Sequence, residues 1–147
     1  MKAFGFRLEQ VLRWRETQVN LQKPRVAVAA GRLQEIAATL EARRAELSAA
    51  ASRIMEAPTG DALVSYAAFR ERSNARILDG EAQALVAKRT LNIEMNRLVE
   101  ANQKVRLLEN LKRTAQGRWN REFDRELAAF ADEAFLCRLQ SKTERGT

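Results

Sequence analysis

The 147-residue chain contains no histidine, one cysteine, two prolines and six glycines, and only 6% of it is aromatic. Without an imidazole, the commonest general base, the hydrolytic triad and the commonest zinc ligand are all missing. Cys137 alone can neither close an internal disulfide nor anchor a zinc site. No apolar run approaches the roughly 18 residues needed to cross a bilayer. The opening Met1-Lys2-Ala3-Phe4-Gly5-Phe6-Arg7 lacks the apolar region of a secretory signal. β-Branched residues are few, so a sheet has little to be built from. There is no glycine-rich loop to cradle a phosphate. The acidic neighbours Asp132 and Glu133 would point to different faces of a helix. These absences predict a cytosolic all-α protein with no catalytic, metal or cofactor site.

What remains is rich in strong helix formers: 25 Ala, 17 Leu, 20 Arg and 15 Glu. The formal net charge is +7 and the isoelectric point about 10.3. That balance permits an acidic protein, nucleic acid or an anionic membrane surface as partner. The charge is spread along the chain: residues 1–73 carry 12 basic and 8 acidic groups, and residues 74–147 carry 14 and 11. No separate basic arm exists.

A seven-residue repeat organises the first part. Leu12, Val19, Val26, Leu33, Leu40, Leu47 and Ile54 keep unbroken phase. The companion row, Arg15, Gln22, Ala29, Ile36, Arg43 and Ala50, is weaker and mixed. A strong row beside a weak one is a narrow stripe, suited to a seam against one other helix. Pro24 interrupts this run, yet the phase holds across it, which predicts a continuous, kinked helix. Glu56-Ala57-Pro58-Thr59-Gly60-Asp61 ends it, with Thr59 or Asp61 able to cap a successor. Beyond lies a second series, Leu63, Tyr66, Phe69, then Ile77, Ala84, Leu91, Leu98 and Val105, continuing through Leu108, Leu111, Ala115 and Trp119. The expected architecture is a long antiparallel two-helix coiled-coil hairpin. Helix one covers about 8–56, the bend 57–61, helix two about 62–138, and a frayed tail 139–147.

Folding at the bend places residue i beside roughly residue 119 − i, so Leu12 is expected near Leu107 and Leu8 near Leu111. Residues from about 112 to 138 are then left overhanging. Trp119, Phe123, Leu127, Phe130 and Ala134 form a helical stripe there, with Phe135 beside it. Basic residues gather at the same end: Arg7, Arg13, Arg15, Lys23 and Arg25 on one helix, and Lys104, Arg106, Lys112, Arg113, Arg118, Arg121 and Arg125 on the other. An exposed aromatic stripe among cations marks a contact surface.

Four stretches of this chain resemble the flagellar export protein FliJ family, the small coiled-coil component of flagellar type III secretion. They are Phe4-x-Phe6-Arg7-Leu8-Glu9-x-Val11-Leu12-x-x-Arg15-Glu16; Tyr66-x-x-Phe69; Leu108-Glu109-x-Leu111-Lys112-Arg113; and Trp119 with Glu122, Arg125-Glu126 and Asp132-Glu133. Pro24 and the apolar Phe130 and Phe135 depart from the family pattern. The resemblance implies an antiparallel coiled coil, similar to a rotary-ATPase stalk, that binds within the export ATPase ring. It also implies contact with the export gate membrane protein, handling of empty export chaperones, and peripheral attachment to the inner face of the cell membrane through those partners.

Arg7, Arg113, Trp119, Arg121, Phe123 and Phe130 are the expected ring contacts. By the resemblance, the gate contact falls on Phe69, Ser73, Arg76 and Gly80, of which only Phe69 has the apolar character of that surface. An injectisome stalk is the sibling alternative. A basic nucleic-acid-binding hairpin is another, but acidic residues interrupt nearly every basic stretch and no base-reading module is present. Direct lipid binding is disfavoured by the acidic residues flanking the stripe.

Overall fold

The computed structural model describes residues 2–146. It is all-helical, two long helices packed against each other: α1, Glu9–Glu56, and α2, Gly60–Arg145. The described residues include no strand. The chain divides into two compact units, Gln18–Ala101 and Met1–Thr17 with Asn102–Thr147.

The unit spanning Gln18–Ala101 holds the bend. Ala57, Pro58 and Thr59 are its only non-helical residues. The Ala62 amide donates to Thr59 Oγ1 at 3.3 Å and the Leu63 amide to the Thr59 carbonyl at 3.0 Å, so Thr59 is the N-cap. Asp61 adds a favourable charge in the first turn. With Thr59 capping, the helix begins at Gly60, two residues before the expected start at 62. Pro24 lies within α1 without ending it. Pro24 and Asn20, whose carbonyl loses its amide partner, are both exposed, so water can take up that bond.

Both α1 rows turn inward. Val19, Ala29 and Leu40 are buried and Val26, Leu33, Ile36, Leu47, Ala50 and Ile54 half-buried. On α2 the facing positions are Ala62, Tyr66, Phe69, Ser73, Ile77, Gly80, Ala84, Ala87, Leu91, Glu94, Leu98 and Ala101. Leu63, placed in the stripe by the sequence reading, is exposed, and Ala62 takes its place. The α1 spacing is a strict heptad. On α2 the steps Phe69–Ser73 and Ser73–Ile77 are both of four, which is a stutter.

Small α2 residues let the helices approach closely. Leu40 packs so tightly over Gly80 that a Cβ there would stand 2.6 Å from its Cδ2. Two polar members of the weak row, Gln22 and Arg43, bond across the seam. Gln22 Nε2 donates to the Glu94 carbonyl at 3.0 Å and also to the Glu94 carboxylate, and Arg43 Nη1 donates to the Arg76 carbonyl at 3.2 Å. Arg44 bridges Glu81 at 2.9 Å and Glu41 at 3.0 Å, and these carboxylates, Glu81 foremost, raise the guanidinium pKa. Such exposed pairs contribute little to stability.

In the unit containing the termini, Leu12 is buried and Leu8 borders the exposed class. The expected partner of Leu12 is corrected: Leu107 is 62% exposed, and the inward positions are Val105 and Leu108. Leu8 and Leu111 line one groove, as expected, although Leu111 is half exposed, and Lys112 turns in. The 3–4 spacing through Val105, Leu108, Lys112, Ala115 and Trp119 sets this phase. α2 also continues past its expected end near Arg138. Ser141 and Thr143 hydroxyls donate to the Arg138 and Leu139 carbonyls, and Lys142 and Arg145 complement the helix dipole in the last turn. The expected frayed tail 139–147 is therefore helical to Arg145, and Thr147 lies outside the described residues.

The seam makes contrasting stability predictions. Leu40→Ala is expected to cost about 2–5 kcal/mol, since it deletes the knob that Gly80 receives. Gly31, with open space at its Cβ position, should gain about 0.5–1 kcal/mol on Gly31→Ala. Gly80→Ala should gain less than Gly31→Ala, because Leu40 must move. Urea midpoints of the three variants check this ordering.

Candidate partner-binding surface

The terminal unit carries the candidate surface. Residues 2–6 are non-helical and lead into α1 through a turn in which the Glu9 amide donates to the Phe6 carbonyl at 3.1 Å. This segment lies along α2. Phe4 meets Trp119 edge-on, ring centroids 6.1 Å apart, and Trp119 stacks on Phe123 at 5.2 Å and 12°. Arrangements of this kind are worth about 0.5–1.5 kcal/mol beyond simple burial. Lys112 Nζ sits 2.8 Å from Glu9 Oε2, a tie between the first turn of α1 and α2, and Arg13 lies 3.8 Å from the other Glu9 oxygen.

Below the aromatic stack a groove of about 510 Å³ runs between Gly5, Phe6, Arg7 and Leu8 on one side and Leu111, Thr114, Ala115 and Arg118 on the other. Arg7 and Arg118 place cationic groups along an otherwise largely apolar lining.

Trp119 and Phe123 are therefore not bare, as the overhang reading expects; both are half-buried in an internal stack with Phe4. The uncovered stretch begins later. Every residue from Asp124 to Gly146 is exposed, including Phe130 at 71%, Phe135 at 62%, Leu127, Leu136 and Leu139. Of the six expected ring contacts, Phe130 alone is an uncovered aromatic. Arg7, Arg113 and Arg121 are exposed cations, and Arg121 Nε donates to the Gly117 carbonyl at 3.2 Å.

The expected gate face belongs to the other unit. There Gly80 is buried beneath Leu40, Phe69 and Ser73 are half-buried in the seam, and Arg76 is the one exposed member. Phe69 lines a groove of about 410 Å³ beside the bend with Tyr66, Ile54, Ala50 and Arg53.

Phe4 and Glu9, which meet Trp119 and Lys112, are the contacts that periodicity overlooks. Neither belongs to a heptad row read from the sequence. The fold-back register nevertheless places Phe4 near residue 115, one helical turn from Trp119. Among the described residues no group of three or more His, Cys, Asp or Glu side chains could hold a metal ion, and no helix is long and apolar enough to cross a membrane. No protein-family model, curated protein or solved structure matches the chain.

Removing the Phe4 ring should uncover Trp119. In a Trp14→Phe background, Phe4→Ala is expected to shift the remaining tryptophan emission to longer wavelength and to increase its quenching by acrylamide. Unchanged emission would place Phe4 elsewhere.

Proposed function

We propose that this chain is a non-catalytic coiled-coil stalk of a flagellar type III export apparatus. In this reading it binds the export ATPase ring, touches the export gate membrane protein and escorts empty export chaperones. Any membrane association arises through those partners. The four sequence stretches similar to the FliJ family supply the identity. The observation that supports it most is the end of α2, where Asp124–Arg145 continue as helix with apolar side chains uncovered and exposed arginines on the preceding turns.

The mechanism is mechanical and allosteric. A single asymmetric helix end inside a symmetric ring contacts the subunits unequally and so biases their conformational states. Phe130 is the apolar anchor in this scheme, and Arg7, Arg113 and Arg121 are its charged contacts. Trp119 and Phe123 hold the N-terminal segment and position the helix end. The gate contact, if carried on the bend unit, engages Arg76 and the groove that Phe69 and Tyr66 line.

The test uses purified export ATPase. Phe130→Ala with Arg121→Ala is expected to weaken binding about 30-fold, as loss of an anchor worth about 2 kcal/mol requires, and to abolish ATPase stimulation while helicity is retained. Stimulation at the wild-type level by this variant would remove the proposal.

A further inference from the structure

The uncovered end of α2 has a charge order that the stalk reading does not use. Its first half, 124–133, carries Asp124, Glu126, Asp132 and Glu133 against Arg125; its second half, 134–145, carries Arg138, Lys142 and Arg145 against Glu144. Two adjacent apolar stripes run along the same helix. One is Leu127, Phe130, Ala134 and Cys137, and the other Ala128, Ala131, Phe135 and Leu139. Asp124 at one end, Lys142 and Arg145 at the other, and Arg138 between them fall between the stripes.

We infer that this segment pairs antiparallel with the same segment of a second copy of the chain. Antiparallel pairing sets the acidic half of each copy against the basic half of the other, whereas parallel pairing sets like against like. One register joins a charge pair to apolar packing, with Glu133 near its own copy at the two-fold axis and Arg145 opposite Arg121. It brings Asp124 opposite Lys142, Leu127 opposite Leu139, and the large Phe135 opposite the small Ala131. A two-fold axis generates each of these contacts twice, as an isologous interface requires.

The area is adequate. Two phenylalanines per copy, 71% and 62% exposed, supply at most roughly 500 Å² across the pair. The leucines carry the total toward the roughly 1,200 Å² at which specific interfaces begin. The four carboxylates of the first half disfavour an anionic lipid surface as the occupant of this face.

Sedimentation equilibrium of the full chain tests the pairing, with a mass twice 16.7 kDa expected at micromolar concentration. One variant carries Asp124→Lys, Asp132→Lys and Glu133→Lys; the other carries Arg138→Glu, Lys142→Glu and Arg145→Glu. Each should lose self-association by on the order of tenfold or more, and an equimolar mixture of the two should form a heterodimer. All six positions are exposed, so helicity by circular dichroism should match the unaltered chain. A monomeric wild type, variants that each self-associate as strongly as wild type, or a monomer that floats with phosphatidylserine vesicles would overturn the proposal. The ATPase test reads a different complex, so a monomeric wild type would overturn the pairing and leave the stalk proposal standing.

Discussion

Each unit of this chain is held by one thin contact, the inward row of α1 against the inward row of α2. Among the described residues no large side chain is fully buried, and the buried apolar residues are Leu12, Val19, Ala29, Leu40 and Ala87. Stability therefore accumulates along the length of the seam instead of at a centre. Small residues on α2 make the contact close enough to exclude water, and Leu40 seated on Gly80 is its tightest point. Polar groups bond across the seam at three places: Gln22 with Glu94, Arg43 with the Arg76 carbonyl, and Glu9 with Lys112. Leaving the buried Gln22 amide unpartnered would cost about 1–3 kcal/mol, so a slipped register is penalised as well as less well packed. These pairs select one alignment from a repeat that would otherwise tolerate several.

The terminal unit shows how the contact ends. Phe4 covers Trp119, Trp119 stacks on Phe123, and no later α2 side chain is covered. From Asp124 onward the helix is sustained by propagation from the packed turns before it and by residues that favour helix strongly, chiefly Ala, Leu, Arg and Glu. A helix carried this way keeps its apolar side chains available. The two proposed partners, an ATPase ring and a second copy of the chain, would compete for them. Self-pairing would then hold the free chain's apolar end out of water until a ring subunit displaced it.

The architecture was legible because a heptad is a direct physical instruction: alternating steps of three and four put Leu12 through Ile54 on one face. The bend was legible from Pro58 and Thr59, and continuity through Pro24 from the unbroken phase around it. Three things were not. Leu63 and Leu107 look like core residues by type, yet their phase turns them outward and brings Ala62 and Leu108 inward. The persistence of helix beyond Arg138 depends on hydroxyl back-bonds and on Lys142 and Arg145 at the dipole's negative end, a weak polar pattern that resembles fraying. The cover over Trp119 comes from a non-helical segment, and periodicity carries no information about such a segment. The uncovered stretch of α2 thus begins later than the stripe read from the sequence, after Phe123 instead of at Trp119.

Amide hydrogen exchange along α2, at a chain concentration too low for association, measures most directly where the seam ends. Protection should stay high through the positions that face α1, persist to Phe123 and fall sharply from Asp124 to Arg145, where each amide depends on local helix alone. Uniform protection through Arg145 at that dilution would mean that something within the chain covers this segment, and would contradict a seam that stops at Phe123.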